Sequence, residues 1–447
     1  MAAQTVVETI DSLESTSGII DRRESAARSY CRWFTPVLVS ARGSLVKDID
    51  GREYVDFLAG AGALNYGHND PDIKAALLEY LLGDGIVQSL DLTTEVKTAF
   101  LAEFERHVLG PRGLDYRVQF TGPTGANAVE AAVKLARKVT GRSNVIAFTR
   151  AFHGVSAGAL AATANSYFRL GPEQVLHGVT RMPFDGYLGP HVDTSEILAR
   201  MLDDPSSGVD APAAILLETV QGEGGVVAAS GAWLRRVASL AEAHGALLIV
   251  DDIQMGCGRT GTFFSFEPFG VTPDLVVLSK SLSGFGLPMS VLLLRRDVDR
   301  WNPGEHNGTF RGNGPAFVTA AATLRKFWSD HQFVDDVARR SQLVAARLSE
   351  MAQQVPGAQV RGRGMVQGLD LGDPDRAAQI RARCARDGLL IECAGPRDEV
   401  LKVLAPLTTE DDLLAHGLNI LGRAVAQSTG AGLNELMLTL VSEQIGK

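Results

Sequence analysis

Ala246-Leu-Leu-Ile-Val-Asp-Asp252 and Asp274-Leu-Val-Val-Leu-Ser-Lys280 are short apolar runs that each close on charged residues. Val145-Ile-Ala-Phe148 and Ala213-Ala-Ile-Leu-Leu-Glu218 are built in the same way. Runs of this length, bounded by turn residues, read as strands buried on both faces. Between them lie Ala-rich stretches with helical spacing, such as Asn127 to Val139 and Ala232 to His244. Strands alternating with helices predict an α/β architecture with a mainly parallel sheet covered on both sides.

The flanks read differently. From Gly43 to Pro71 the sequence GSLVKDIDGREYVDFLAGAGALNYGHNDP predicts a hairpin turning at Asp48-Ile49-Asp50-Gly51. A Gly-rich loop follows, and then a helix after Pro71. Beyond about Ala316 a long helix and mixed strands and helices predict a smaller C-terminal unit. Residues 1–25 are polar and partly acidic, which predicts a flexible extension and no signal peptide. The 447 residues, 45% of them hydrophobic, can bury a large core. A net charge of −9 with no basic run argues against nucleic acid or an anionic membrane as partner. Cys31, Cys257, Cys384 and Cys393 are spaced for neither disulfides nor zinc, so no metal site is expected. With no apolar stretch of spanning length, a soluble, cytoplasmic protein is the expectation.

Asp251 and Lys280 close two of the strands. Ligands of doubly wound sheets sit beyond the carboxyl ends of strands, so both side chains can reach one pocket. A lysine there can form a Schiff base, and a buried carboxylate can pair with a pyridinium nitrogen; pyridoxal phosphate chemistry needs both. Each residue alone is a weak sign, since a strand-end Asp is more often a helix cap. Thr121-Gly-Pro-Thr-Gly-Ala-Asn127, just before a helix, offers backbone N–H groups to a phosphate, with Thr124 as a further donor. Taken alone it is equally an ordinary capped loop. Phe152-His153-Gly154 places an aromatic after the next strand, where it can stack on a ring. Glu218-Thr-Val-Gln-Gly-Glu-Gly-Gly225 brings two acids to the same edge, which implies a basic partner or a functional role.

Together, DGREYVDFLAGAGALNYGHNDP (50–71), PTGANAVEAAVKLARK (123–138), FHG (152–154), ETVQGEGG (218–225), IVDDIQMGCGRTG (249–261), LSKSLSGFGLP (278–288) and HNGTFRGNGPAF (306–317) resemble the class III, or omega, aminotransferases of fold type I. The resemblance spans about residues 30 to 430. It implies a large cofactor-binding domain over 86–320, with a mainly parallel seven-stranded sheet. It also implies a small α+β domain drawn from both chain ends, 26–85 and 321–447. The implied cofactor is pyridoxal 5'-phosphate, bound through Lys280 as a Schiff base, with Lys280 also moving the proton in a ping-pong reaction. Asp251 would face the pyridine nitrogen, Gln254 the phenolic oxygen and Phe152 the ring, in a site that includes His153. Gly125 and Ala126 would hold the phosphate, with Thr309 supplied by a neighbouring subunit, which implies a homodimer or larger assembly with shared sites. Glu223 resembles the family's switch acid, which lets one pocket take both an omega-amine and glutamate.

Departures from the family bear on the substrate. Ornithine and acetylornithine members typically carry Arg after the aromatic-x-Gly triplet, where this chain has Val155. The ornithine branch also places an aromatic at the position of Ala61, and the usual Arg partner of the switch acid is Lys402 here. GAGALNYGHN, RGLDYRVQFTGPTG, VTRMPFDGY, SLSGFGLPM and GEHNGTFRGN resemble the branch that makes L-2,4-diaminobutyrate from L-aspartate 4-semialdehyde and glutamate, releasing 2-oxoglutarate. That product serves ectoine, siderophore or peptide-antibiotic synthesis. Gly314, where this branch often has Asn, is expected to be neutral. Lys402 and Arg169 are the candidate holders of a substrate carboxylate. Rival readings are an omega-aminotransferase using putrescine, gamma-aminobutyrate or ornithine, and a racemase or decarboxylase on the same scaffold. A non-catalytic cofactor-binding regulator would need a DNA-binding element, and the sequence has none.

Overall fold

The computed structural model describes residues 16–169, 171 and 176–429. Of the expected N-terminal extension, residues 1–15 lie outside the described residues; Thr16–Arg23 form a helix, and Asp21 is joined to Arg28. The strands are β1 Leu38–Arg42, β2 Leu45–Asp48, β3 Glu53–Asp56, β4 Tyr116–Phe120, β5 Asn144–Phe148, β6 Val179–Met182, β7 Pro212–Leu217, β8 Val220–Gln221 and β9 Val227–Ala228. They continue with β10 Leu247–Asp251, β11 Leu275–Leu278, β12 Val291–Arg295, β13 Gln359–Arg363, β14 Val366–Asp370, β15 Leu389–Leu390, β16 Glu392–Ala394 and β17 Val400–Val403. The central sheet has seven strands in the order β4-β12-β11-β10-β7-β5-β6. All of its pairings are parallel except those of β12, which runs against both β11 and β4.

Alternation along the strands divides the core into two layers, because successive side chains point to opposite faces. Val145, Ala147, Ala214, Leu216, Leu247, Ile249, Leu275 and Val277 face one apolar cluster, built with Ala128, Ala132 and Leu135 of the helix Gly125–Thr140. Ile146, Phe148, Ile215, Leu217, Leu248, Val250, Val276 and Leu278 face the other, against Trp233, Leu234 and Val237 of the helix Gly231–Ala243. Strands buried on both faces need no polar alternation, which explains the unbroken apolar runs.

The predicted hairpin is β2 and β3, paired antiparallel, and a helix fills Pro71–Leu82 with Asp70 accepting from the Asp72 and Ile73 N–H groups. The C-terminal unit holds the antiparallel sheet β13-β14-β17-β16 with the helices Gln332–Gln354, Pro374–Arg386 and Asp411–Ser428. β15 adds to β3 in parallel, with Leu389 opposite Val55. The two flanks of the chain therefore share one sheet. Gly314 is not neutral: a Cβ there would collide with the Ile86 carbonyl, and its own N–H donates to the Val87 carbonyl at 2.9 Å. The missing side chain lets the 86–90 segment lie against the start of the helix Gly314–Phe327. Among the described residues no helix is long and apolar enough to cross a membrane, and no group of side chains could hold a metal ion. Cys31, Cys257, Cys384 and Cys393 are all unpaired.

Candidate active site

Asp251 ends β10 directly beside Val277 of β11, and Lys280 follows β11 by two residues, so sheet register alone brings both to one edge. Lys280 is held at φ +50°, a strained conformation for a residue with a side chain and one that clusters at functional sites. Its Nζ donates to the Ala61 carbonyl at 2.8 Å, and burial pushes the amine below the ordinary lysine value. A lowered amine value favours the unprotonated, nucleophilic form of a lysine. Asp251 is 4% exposed; its Oδ1 accepts from the Ile253 N–H at 3.1 Å, and its Oδ2 lies 2.8 Å from His153 Nδ1. Burial alone would lower the His153 value, but the Asp251 carboxylate more than offsets it and holds the imidazole above its usual range. Asp252 turns the other way: its Oδ2 accepts the Ser265 N–H at 2.8 Å, and burial pushes its carboxyl up to about 7. Of the two adjacent acids, only Asp251 joins the group around Lys280.

The turn after β5 carries Phe152, whose N–H donates to Glu218 at 3.0 Å. Burial pushes the Glu218 carboxyl up to about 7. The helix Gly125–Thr140 begins at the expected loop, and the first-turn N–H groups of Gly125 and Ala126 have no intrahelical acceptor. The Thr124 hydroxyl donates to Asn127 Oδ1 at 2.8 Å, so its proton serves the cap. Thr309 stands apart, exposed on the turn Thr309–Arg311, with its carbonyl accepting from Gln88.

Glu223 finds its basic partner in Lys402, whose Nζ lies 2.8 Å from Glu223 Oε1. The same Nζ lies 3.0 Å from Glu392 Oε1, and Lys402 is completely buried. Glu392 carries no motif and escapes a sequence reading. The signal is the register of β16 with β17, which sets Glu392 directly opposite Lys402. Gln254 Nε2 donates to Glu223 Oε1 at 3.0 Å and to the Ala61 carbonyl at 3.1 Å, while its own Oε1 is buried without a partner. The two acids that share Lys402 are not compensated equally. Burial would raise the Glu223 carboxyl, but Lys402 and then Lys280 bring it down to about 2. In Glu392 burial wins, and the carboxyl is pushed up to about 7 from an ordinary 4.5.

The sign of the resulting pH dependence follows. The folded protein keeps the Glu392 proton where the unfolded chain gives it up, so this group costs stability as pH rises from about 4.5 to about 7. The cost is on the order of 3 kcal/mol. Glu218 and Asp252 act in the same direction. Glu392→Gln is therefore expected to flatten part of the fall in melting temperature across that window; an unchanged slope would show that Glu392 is ionised throughout.

A cavity of about 520 Å³ opens beside this group, lined by Phe152 and Glu223 and also by Arg150, Tyr187, Arg397 and Glu399. Val155 is 59% exposed. Arg169 does not line the cavity; it donates to the carbonyl of Ala164, which does, at 2.9 Å. Arg150, Arg397 and Glu399 lie outside every recognisable motif.

Residues 27–425 match the family model described as aminotransferase class-III. The chain is 54% identical to a diaminobutyrate--2-oxoglutarate transaminase of Bordetella parapertussis, over 92% of this chain and 95% of that protein. It is 54% identical to the protein of the same name from Vibrio parahaemolyticus, over 91% and 97%. Among solved structures, an ornithine aminotransferase from Toxoplasma gondii superposes with a TM-score of 0.82 at 26% identity, over 94% of this chain and 97% of that one.

Proposed function

The chain belongs to the class III aminotransferase family and is a pyridoxal-phosphate-dependent enzyme, and we propose that it moves the terminal amino group between L-2,4-diaminobutyrate and 2-oxoglutarate. The direction that forms diaminobutyrate takes L-aspartate 4-semialdehyde and glutamate. The observation that carries this reading is a half-buried Lys280, its amine held below the ordinary lysine value, at the same sheet edge as a fixed, buried Asp251 in a chain 54% identical to proteins of that name.

The residues fit the cofactor. Gly125 and Ala126 offer free N–H groups, and the Gln254 amide has a buried oxygen with no partner. When bound, pyridoxal phosphate supplies an aldehyde for amines and a ring that accepts the electron pair released at the reacting carbon. Lys280 Nζ would hold that aldehyde at rest and would carry the proton of the reacting carbon once free. Asp251, with His153 behind it, would keep a proton on the ring nitrogen. Phe152 would lie against the ring, and Gln254 would offer its amide to the phenolic oxygen. Glu223 stays on Lys402 while a diamine occupies the site and moves aside for the inner carboxylate of glutamate.

Thr309 completes the phosphate site from a second copy of the chain. Supporting this, exposed Leu82, Ile86, Val87, Leu92 and Phe310 lie on segments that pair through Gln88 and Asn313 beside Thr309. Large apolar side chains exposed on these segments are what a covering surface would bury. The same reading keeps 86–320 as the cofactor domain and 26–85 with 321–447 as the small one.

The test is a single-turnover comparison of L-2,4-diaminobutyrate, ornithine, putrescine and gamma-aminobutyrate. The readout is the loss of the visible absorbance of the lysine-bound cofactor. Diaminobutyrate is expected to react fastest, and 2-oxoglutarate to restore the band. Faster reaction with putrescine or gamma-aminobutyrate would leave the family standing and remove the named substrate.

A further inference from the structure

The two proposed substrates share a feature. In 2,4-diaminobutyrate and in glutamate alike, one carboxylate lies three carbon–carbon bonds from the carbon that reacts. A single cation at a fixed distance from Lys280 can therefore serve both half-reactions. Lys402 is a poor choice for it, because its Nζ is fully buried between Glu223 and Glu392. Even when Glu223 moves, the strand register keeps Glu392 opposite it. The position after Phe152-His153-Gly154 offers only the exposed Val155.

The cavity beside Glu223 offers something better. Arg150 follows β5 in the turn that carries Phe152, at φ +65°. Gly224 packs so closely on this turn that a Cβ would collide with the Arg150 carbonyl, which fixes Arg150 next to Glu223. Its guanidinium lies over the Tyr187 ring, 5.5 Å from Cζ to the centroid, and among the described residues no acceptor takes its donors. Arg397 lines the same cavity, and among the described residues its guanidinium meets only the Gly372 carbonyl, at 3.3 Å. The cavity also presents Glu399, 8% exposed, whose Oε2 accepts from the Arg397 backbone N–H at 2.8 Å.

Resting on the function proposed above, we infer that Arg150, with Arg397, holds the far carboxylate of both substrates. Glu399 receives the ammonium that diaminobutyrate carries beside that carboxylate. The arrangement matches an α-amino acid end group, with a planar donor fork for the carboxylate and an acid for the ammonium. It also separates diaminobutyrate from gamma-aminobutyrate, which has the same carboxylate and lacks the ammonium.

The experiment compares acceptors with and without the far carboxylate, on enzyme first loaded by whichever amine reacts. In Arg150→Gln, kcat/KM for 2-oxoglutarate relative to pyruvate is expected to fall about 10- to 100-fold. Arg150→Lys, which keeps the charge and loses the fork, is expected to fall in between, and it carries the comparison if the first variant does not fold. In Glu399→Gln, the preference for diaminobutyrate over gamma-aminobutyrate is expected to shrink about tenfold. An unchanged 2-oxoglutarate-to-pyruvate ratio in the Arg150 variants overturns the inference. The acceptor ratio is independent of the amine used, so a wrong donor assignment and a wrong Arg150 assignment give separable results.

Discussion

Lys280→Ala is expected to lower turnover by at least ~10⁴-fold while the protein still folds and still takes up pyridoxal phosphate. Removing a group proposed to be both the covalent anchor and the proton carrier would cost both roles at once. The physical basis is local. Burial holds the Lys280 amine below its ordinary value, and the strained backbone at φ +50° aims it into the site from the end of β11. The check is an absorbance spectrum with a turnover assay. The variant is expected to hold the cofactor through Gly125, Ala126 and Asp251 without the band of the lysine-bound form. Turnover comparable to the unaltered enzyme would show that another amine does the chemistry. Lys402 is the nearest alternative, but its commitment to two carboxylates argues against it.

Lys402→Met is expected to cost about 3–5 kcal/mol of stability, the range for removing one partner from a buried ion pair. Methionine fills much the same volume, so the loss is electrostatic. Glu223 and Glu392 would lose the cation they share and keep only the charge of Lys280 nearby, and the Glu223 carboxyl, now held down at about 2, would rise. The sign of the pH effect follows. A carboxylate whose folded value is depressed contributes stability above its unfolded value, and the contribution is lost as pH falls. In the unaltered protein the Glu223 contribution is lost between about 4.5 and about 2, and in Lys402→Met the loss moves to higher pH. Adding Glu392→Gln to Lys402→Met is expected to restore part of the melting temperature at neutral pH and above, where a carboxyl that burial keeps protonated costs stability and a neutral amide does not. A thermal denaturation series on the three variants checks this, and additive effects would mean that Glu392 and Lys402 do not interact.

Much of this molecule was open to a reading of the chain alone, for a physical reason. A strand buried on both faces must be continuously apolar, so Val145–Phe148, Ala213–Leu217, Leu247–Val250 and Leu275–Leu278 announce themselves. Three strands of the central sheet were less legible. β4 and β6 are edge strands with partly exposed side chains, and β12 is apolar enough but nothing in its residues tells that it runs antiparallel. The loop before the helix Gly125–Thr140, Lys280 and the strand-end Asp251 could be placed from the chain because each sits at the end of an element whose identity is local.

The sequence by itself determined the order of strands and helices along the chain and the placing of Lys280 and Asp251 at neighbouring strand ends, because short-range periodicity and turn residues encode such features. Only the tertiary structure decided that Asp251 and not Asp252 meets His153, that Glu392 shares Lys402 with Glu223, and that Arg150 and Glu399 line one cavity. Apart from Glu392 and Lys402, which face each other on neighbouring strands, those relations join residues about 100 to 250 positions apart in the chain. Strand register and the packing of loops at the sheet edge set them, and neither leaves a periodic trace in the residues involved.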